Sequence, residues 1–248
     1  MSTIYIMWLR EMKRFLRSKS RIVGALGQPL LYLVSLGYGL GSVFAAAGQG
    51  NYIEFLAPGI IGMSIIFTSI FNGMQVIWDR QFGFLKETLI APVSRFNIML
   101  GRTLGGATVA ALQGFIVLVL TLFVGFHPYS WALVPEALLV MLLVASLFSA
   151  LGMVVASLLR DMQGFQLIMN FMVMPLFFLS GALFPLKNAP AALSFVARFD
   201  PLSYGIDAMR ALLINSSNYG LSLDLAVLGG VTLLFLALGS YFFSKIQI

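Results

Sequence analysis

The chain has 248 residues, of which 60% are hydrophobic and only 10% are charged, and it carries a formal net charge of +6 and no cysteine. Soluble domains contain about 25% charged residues, so this composition excludes an ordinary water-soluble domain. The lack of cysteine excludes disulfides, thiolate metal sites and thiol nucleophiles. We predict one membrane domain over residues 1–248. The six apolar stretches described below take up most of the chain and leave no room for an additional soluble domain.

The N-terminal residues 2–20 are predicted to form an amphipathic helix. Its basic residues lie largely off the apolar stripe, which consists of Ile4, Trp8, Met12, Phe15 and Leu16. Tryptophan with Lys and Arg is typical of an interfacial helix on an anionic leaflet. The alternative is a basic leader that only sets topology. We expect no cleavable signal peptide, because the first apolar run is longer than a signal's hydrophobic region.

Six uncharged stretches of at least twenty residues follow along the chain. A helix rises about 1.5 Å per residue, so about 20 apolar residues cross the hydrocarbon core of a bilayer. The sequence therefore predicts an all-α membrane protein with six transmembrane helices. Their predicted bounds are about 22–44, 55–78, 104–126, 131–159, 165–183 and 224–243.

The connection 79–102 is predicted to carry a short helix over residues 83–91, which Pro92 would end. Hydrophobic residues recur in this water-exposed connection, namely Phe82, Phe84, Leu85, Leu89 and Ile90. An exposed helix with an apolar face is typical of an element that docks into a groove of another protein. The alternative is a second helix that lies on lipid.

The segment 184–223 is predicted to form an outer re-entrant hairpin between the fifth and sixth spans. Residues 188–199 and 201–214 each have a helical, amphipathic pattern. Asp200 followed by Pro201 is a strong start for the second helix, because aspartate caps a helix and proline suits its first position. Two short helices that dip into the outer leaflet therefore fit this segment better than a free loop.

Polar residues within the spans are neutral, so no buried ionisable group is available for proton coupling. Amides beside aromatic rings suit amphipathic substrates, and the candidate substrate path consists of Tyr38, Phe67, Phe71, Asn72, Gln75, Gln166, Asn170 and Phe177. The alternative is hydrogen bonding between helices, which is the commoner use of such amides. The candidates for an outer gate are Tyr204, Asp207 and Arg210, of which the last two can instead form a local ion pair.

No group of residues in the sequence indicates catalysis or metal binding. His127 is the one histidine of the chain, and a lone histidine forms neither a metal site nor a catalytic triad. The phosphate-binding pattern G-x-x-x-x-G-K-[ST] does not occur, so ATP hydrolysis by that route is not expected. We predict no catalytic residue, no metal and no cofactor bound by this chain.

The charge distribution predicts the orientation. With a cytoplasmic N-terminus, 12 of the 15 Lys and Arg residues fall on the cytoplasmic side and 3 fall outside. This is the positive-inside distribution, and an even number of spans places both termini in the cytoplasm. Orientation in the membrane thus explains the positive charge better than a nucleic-acid partner.

Three motifs carry a resemblance to a known family. They are Gly-Phe-Leu-Lys-Glu-Thr-Leu-Ile-Ala-Pro-Val-Ser-Arg at 83–95, Phe-Leu-Ser-Gly-Ala-Leu-Phe-Pro at 178–185, and Asp-Pro-Leu-Ser-Tyr-Gly-Ile-Asp-Ala-Met-Arg at 200–210. In this order they resemble the ABC type 2 transporter permeases, most of all the drug-resistance branch with its daunorubicin and nodulation-factor exporters. Phe84 departs from the pattern, since the family usually has a small threonine there.

The resemblance implies the permease subunit of an ATP-driven exporter for a drug, a lipid or a lipid-linked glycan. It implies a homodimer in membrane lipid with two copies of a separate ATPase subunit, which would bind ATP and Mg. The implied coupling residues are Phe84, Leu85, Lys86, Glu87, Thr88, Leu89 and Pro92. Two alternatives remain: a secondary transporter or channel without an ATPase, and a membrane-embedded enzyme such as a lipid transferase.

Overall fold

The computed structural model describes residues 2–48, 50–90, 92–186 and 189–246, and it does not describe the side chains of Arg21 and Leu89. All regular structure in these ranges is helical. The helices are α1 (Thr3–Arg17), α2 (Lys19–Gly39), α3 (Gly41–Ala46), α4 (Tyr52–Gln81), α5 (Phe84–Ile90), α6 (Arg95–Phe123), α7 (Val134–Leu158), α8 (Met162–Leu179), α9 (Ala191–Ala197), α10 (Pro201–Ile214) and α11 (Leu221–Ser244). A 3₁₀ turn at Trp131–Leu133 precedes α7.

Six of these helices are long and apolar enough to cross a membrane, namely α2, α4, α6, α7, α8 and α11. The prediction of an all-α chain with six spanning helices is therefore confirmed. Two predicted bounds are wrong at the connection 79–102. Helix α4 continues to Gln81 and α6 begins at Arg95, so the connection covers only residues 82–94. The charged residues at both ends stay helical because they pair with charges from other helices.

Helix α4 lies at the centre of the bundle, where it packs against α2, α6, α7, α8 and α10. It approaches α7 at Gly73 and Gly152, where the two backbones are in direct contact. A Cβ atom added at Gly152 would lie only 2.7 Å from the carbonyl oxygen of Ile70. Small residues allow such close approach, which is a main source of helix association in membranes. Helices α4 and α7 therefore form the most closely packed centre of the fold.

Helix α1 packs along α6 and is thereby joined to the bundle. A Cβ atom added at Gly101 would lie 2.8 Å from the carbonyl oxygen of Ile4, so the glycine permits this contact. The indole nitrogen of Trp8 donates a hydrogen bond of 3.0 Å to Thr108 Oγ1. Phe15 is buried, whereas Leu16 of the same predicted stripe is exposed. The apolar stripe thus serves partly for contact with protein, and its position at the membrane surface stays a prediction.

Helix α10 is mostly buried between α4, α7 and α11, so the segment between α8 and α11 is part of the bundle. Asp200 is the N-cap residue of α10, and its Oδ1 accepts a hydrogen bond of 2.8 Å from the backbone N–H of Leu202. The predicted start at Asp200 and Pro201 is therefore confirmed. Asn215 ends the helix in the left-handed conformation. The depth of this hairpin in the membrane stays a prediction.

Candidate functional site

The described N-terminal segment, the described C-terminal segment and α5 lie at one end of the bundle. We call it the basic end because α1 carries Arg10, Lys13, Arg14 and Arg17 there. The C-terminal segment is held there by Arg95, whose guanidinium donates to the carbonyl oxygens of Ser244 and Ile246. The other end carries α9 and α10 and is called the hairpin end. A candidate functional site occurs at each end.

At the basic end, the carboxylate of Asp79 on α4 is the centre of a buried group of charges. Its Oδ2 accepts hydrogen bonds from Arg102 on α6 at 2.5 Å and from Arg10 on α1 at 3.0 Å. Its Oδ1 lies 3.9 Å from one terminal guanidinium nitrogen of Arg14, and the other terminal nitrogen of Arg14 lies 3.6 Å from the carboxylate of the buried Glu11. We call these five residues the Asp79 cluster, and it joins three helices.

The Asp79 cluster extends toward α5. A cavity of about 210 Å³ lies between Arg10, Arg14 and Asp79 on one side and Phe82 and Phe84 on the other. The first residue of α5 therefore borders the same space as the charged side chains that connect α1, α4 and α6.

Helix α5 presents both apolar and charged groups on its exposed face. Gly83, with a φ of +81°, makes the turn that separates α5 from α4. Phe84 is 54% exposed and Ile90 is 82% exposed, whereas Leu85 is fully buried in the hydrophobic core. Leu85 therefore anchors the helix, and its side chain is not available to a partner. Lys86, Glu87 and Pro92 are exposed, Thr88 is half-buried, and the side chain of Leu89 lies outside the described part of the structure.

The residues predicted for a substrate path occupy different places. Phe67 and Phe71 stack at 6.2 Å between ring centroids and line a cavity between α2, α4 and α6. Asn72 and Gln75 line a much smaller space beside α6 and α7. Gln166 and Asn170 are exposed on α8, Tyr38 is exposed on α2, and Phe177 is buried. One copy of the chain therefore does not bring this set together.

Helix α8 has an exposed face that combines amides with large apolar groups. Gln166 and Asn170 are exposed, as are Leu167 and Phe171, and the last is 84% exposed. Amide groups at membrane depth need hydrogen-bond partners, because lipid tails provide none. This face of α8 therefore indicates contact with another protein surface or with a polar path.

At the hairpin end, Asp207 and Arg210 bind different partners. The carboxylate of Asp207 accepts hydrogen bonds from the backbone N–H groups of Asn218 and Tyr219 and from two side chains of the α10–α11 loop. The guanidinium of Arg210 donates to the carbonyl oxygens of Phe55 and Ala182. No ion pair joins the two side chains in the described part of the chain, so the predicted local pair is not formed.

Tyr204 completes this group of predicted gate residues. Its hydroxyl donates a hydrogen bond of 2.8 Å to the carbonyl oxygen of Arg198, and its ring stacks on Tyr219. Burial lowers the pKa of Arg210 to about 10, although the Asp207 carboxylate acts to raise it. The three side chains therefore connect α10 to α4, to the turn after α8 and to the α10–α11 loop.

Asp200 is buried, and its Oδ2 has no hydrogen-bond partner in the described structure. Burial raises the pKa of this carboxyl group to about 7, although the bond from the Leu202 N–H acts to lower it. The unfolded chain ionises near the ordinary value of 3.8, so it loses its proton at lower pH than the folded chain does. The contribution of Asp200 to stability is therefore lost as pH rises from about 4 to about 7.

We expect the variant Asp200→Asn to remove this pH dependence, because asparagine keeps the cap and cannot ionise. The variant should be more stable than the parent by a few kcal/mol at pH 8 and no more stable near pH 4. Thermal unfolding in detergent across this pH range measures the difference. A parallel pH dependence in the two proteins would contradict the assignment to Asp200.

Comparison with known proteins shows to which family this chain belongs. The sequence profile of the family described as "ABC-2 type transporter" matches residues 2–214. The chain belongs to the ABC-2 type transporter family. Nodulation protein J of Rhizobium leguminosarum bv. trifolii is 32% identical over 212 residues, which cover 85% of this chain and 78% of that protein. The inner membrane transport permease YadH of Escherichia coli is 28% identical over 206 residues, covering 82% and 79%.

Membership in the ABC-2 family confirms the resemblance that the three motifs carry. A relative from another lineage is the putative transport permease ycf38 of Cyanophora paradoxa, 28% identical over 215 residues that cover 82% of this chain and 72% of that protein. Within the described residues, no group of three or more His, Cys, Asp and Glu side chains is placed to hold a metal ion.

The Asp79 cluster is the feature that sequence reasoning missed. The charge pattern assigns Arg10, Arg14 and Arg102 to the positive-inside distribution and Asp79 to a water-exposed connection. A signal was present, because Asp79 and Arg102 each directly adjoin an uncharged stretch. A charge at that position becomes buried if its helix continues and a second helix covers it.

Proposed function

We propose that the chain is the membrane-spanning permease subunit of an ATP-driven exporter in a bacterial cytoplasmic membrane. Its cargo is a hydrophobic or amphipathic molecule such as a drug, a lipid or a lipid-linked glycan. Family membership and two relatives named as transport permeases support this function. ATP and Mg bind to a separate ATPase subunit, present in two copies, and this chain supplies no cofactor site.

The exposed face of α5 beside the Asp79 cluster carries the proposal. Phe84 and Ile90 expose large apolar groups next to the charged Lys86 and Glu87, at an end of the bundle where positive charge concentrates. Such a surface is costly in water and favourable in the groove of a partner. The ATPase groove receives this face, and closure of the two ATPase subunits moves α5. The Asp79 cluster passes the movement to α1, α4 and α6.

The orientation follows from the charges at the basic end. Lys and Arg are in excess there, so the positive-inside rule places this end and both termini in the cytoplasm. The ATPase subunit is then on the side where ATP is available. The α9–α10 hairpin faces the outside, where Tyr204, Asp207 and Arg210 form the outer gate.

A homodimer explains the exposed face of α8. Gln166 and Asn170 are unsuited to lipid, and a second copy of the chain provides a polar path between the subunits. Phe171 and Phe178 on the same helix are also exposed and supply apolar contact at this interface. The substrate path then requires both copies, which agrees with its incomplete assembly in one.

We expect Phe84→Asp and Ile90→Asp each to abolish co-purification of the ATPase subunit while the permease itself still folds. Both side chains are largely exposed, so a charge there costs little in the isolated chain but opposes burial in an apolar groove. The measurement is affinity co-purification of a co-expressed ABC ATPase subunit from membranes, together with size-exclusion chromatography of the permease. The matched control is Tyr129→Asp, also largely exposed but at the hairpin end.

Full ATPase binding by both variants would contradict the coupling assignment of α5. A purified permease that transports substrate without any ATPase would instead support the alternative of a secondary transporter or channel. Reconstituted vesicles with and without ATP distinguish these cases, because only the exporter requires ATP hydrolysis.

A further inference from the structure

The side chain of Gln113 on α6 is buried without a partner. It is fully buried, and neither its amide nitrogen nor its amide oxygen has a hydrogen-bond partner among the described residues. Ser64 on α4 is also buried, and its hydroxyl oxygen is likewise unpartnered. Buried polar groups are nearly always hydrogen-bonded in native proteins, so an exception calls for an explanation. Two exceptions beside one cavity point to a ligand.

Both side chains line a cavity of about 190 Å³ between α2, α4 and α6. This volume corresponds to about six molecules of liquid water, which is enough for a small polar group. Phe15, Phe67 and Phe71 contribute aromatic walls, and none of the lining residues is charged. A ligand with a net charge would lack a counter-charge there, so the cavity favours a neutral group that both donates and accepts hydrogen bonds.

The cavity opens toward the membrane. Gly24, Ala25 and Gln28 of α2 border it, and all three are exposed on the surface of the bundle. These residues are near the start of a spanning helix, and Phe15 comes from α1, so the opening lies in the half of the membrane next to the basic end. The small side chains of Gly24 and Ala25 leave the entrance wide. A ligand that enters here comes from lipid and keeps its apolar part there.

We propose that this cavity binds the neutral, hydroxyl- or amide-bearing head of an amphiphile from the leaflet at the basic end. The amide of Gln113 donates and accepts one hydrogen bond each, and the hydroxyl of Ser64 adds a third. The site lies within one copy of the chain, although Phe67 and Phe71 belong to the proposed substrate path as well. Binding requires neither the ATPase nor transport, so this inference can fail while the proposed function holds.

Photolabelling tests the site in the purified full chain in phosphatidylcholine nanodiscs. The probe is an alkyl glucoside with a diazirine next to its sugar, and mass spectrometry locates the labelled peptides. We expect label on residues 63–71 of α4 and around Gln113 of α6. Gln113→Leu should reduce this labelling about tenfold, because two hydrogen bonds are lost. Ser64→Ala should reduce it about threefold, and the control Gln163→Leu, at an exposed amide on α8, should not.

Three results would overturn the proposal. One is labelling of a folded Gln113→Leu variant that equals labelling of the parent. If Gln113→Leu does not elute as a folded protein, equal labelling of Ser64→Ala and the parent takes its place. Another is equal labelling of the same peptides by a matched alkyl diazirine without hydroxyl groups, which would make the cavity an apolar lipid pocket. The third is competition by free glucose that equals competition by unlabelled alkyl glucoside, which would assign the cavity to a soluble polyol instead of an amphiphile.

Discussion

The variant Asp79→Asn is expected to lower the free energy of unfolding by about 3–5 kcal/mol. Asparagine keeps the shape of the side chain but removes the charge that neutralises Arg102, which is as deeply buried as Asp79 itself. Arg102 would then lose its directly bonded carboxylate and keep only the more distant Glu11, and α1 would lose the ion pair of Arg10 with α4. Unfolding of the purified chain by a denaturing detergent, followed by tryptophan fluorescence, measures the loss.

The matched control for Asp79→Asn is Glu136→Gln, which neutralises an exposed acid on α7 and should change stability by less than about 0.5 kcal/mol. Adding Arg102→Met to Asp79→Asn removes the unpaired cation, so the double variant should recover part of the loss. The cluster would not be a stabilising element if Asp79→Asn unfolded at the same detergent concentration as the parent.

The variant Arg210→Met is expected to cost about 3–5 kcal/mol at the other end of the bundle. Arg210 is buried, donates to the carbonyl oxygens of Phe55 and Ala182, and lies 3.8 Å above the ring of Phe55. Methionine fills similar space but leaves both carbonyl oxygens without this donor and Asp207 without a nearby cation. The start of α4 and the turn after α8 should then separate from α10.

Arg210→Lys separates the charge of this contact from its geometry. A lysine keeps the positive charge, but its single ammonium group does not replace a planar guanidinium that reaches two carbonyl oxygens and covers a ring. We expect an intermediate loss of stability from the same detergent titration. The control is Arg198→Met, at an exposed arginine of the same hairpin, with almost no change. Equal stability of Arg210→Met and the parent would contradict a structural role for this contact.

A transport assay with the reconstituted complex connects Arg210 to the proposed outer gate. If α10 moves relative to α4 during export, Arg210→Lys should lower the transport rate at a temperature where the variant is fully folded. A transport rate equal to that of the parent would mean that Arg210 has only a structural role. Other residues of the hairpin would then have to form the proposed outer gate.

Much of the candidate site depends on contacts that local sequence cannot reveal. Gly83, Pro92 and the apolar residues between them predict a helix over residues 83–91, because turn and helix-stop signals act over a few residues, and the structure has this helix at Phe84–Ile90. Which of those residues would be exposed was not predictable. Leu85 is buried and Ile90 is exposed although both are apolar, because α4 covers only one side of α5.

The amino-acid sequence by itself determined the class of the protein, the number of spanning helices, the start of α10 at Asp200 and, through three motifs, the family. These features follow from runs and patterns of neighbouring residues, since the length and apolar composition of a stretch indicate whether it can cross a bilayer. Only the tertiary structure decided that Asp79 neutralises Arg102 and Arg10, that Asp207 and Arg210 bind different partners, and that Gln113 is buried beside a cavity. Each of these depends on residues that are far apart in the chain and meet only when α1, α4, α6 and α10 pack together.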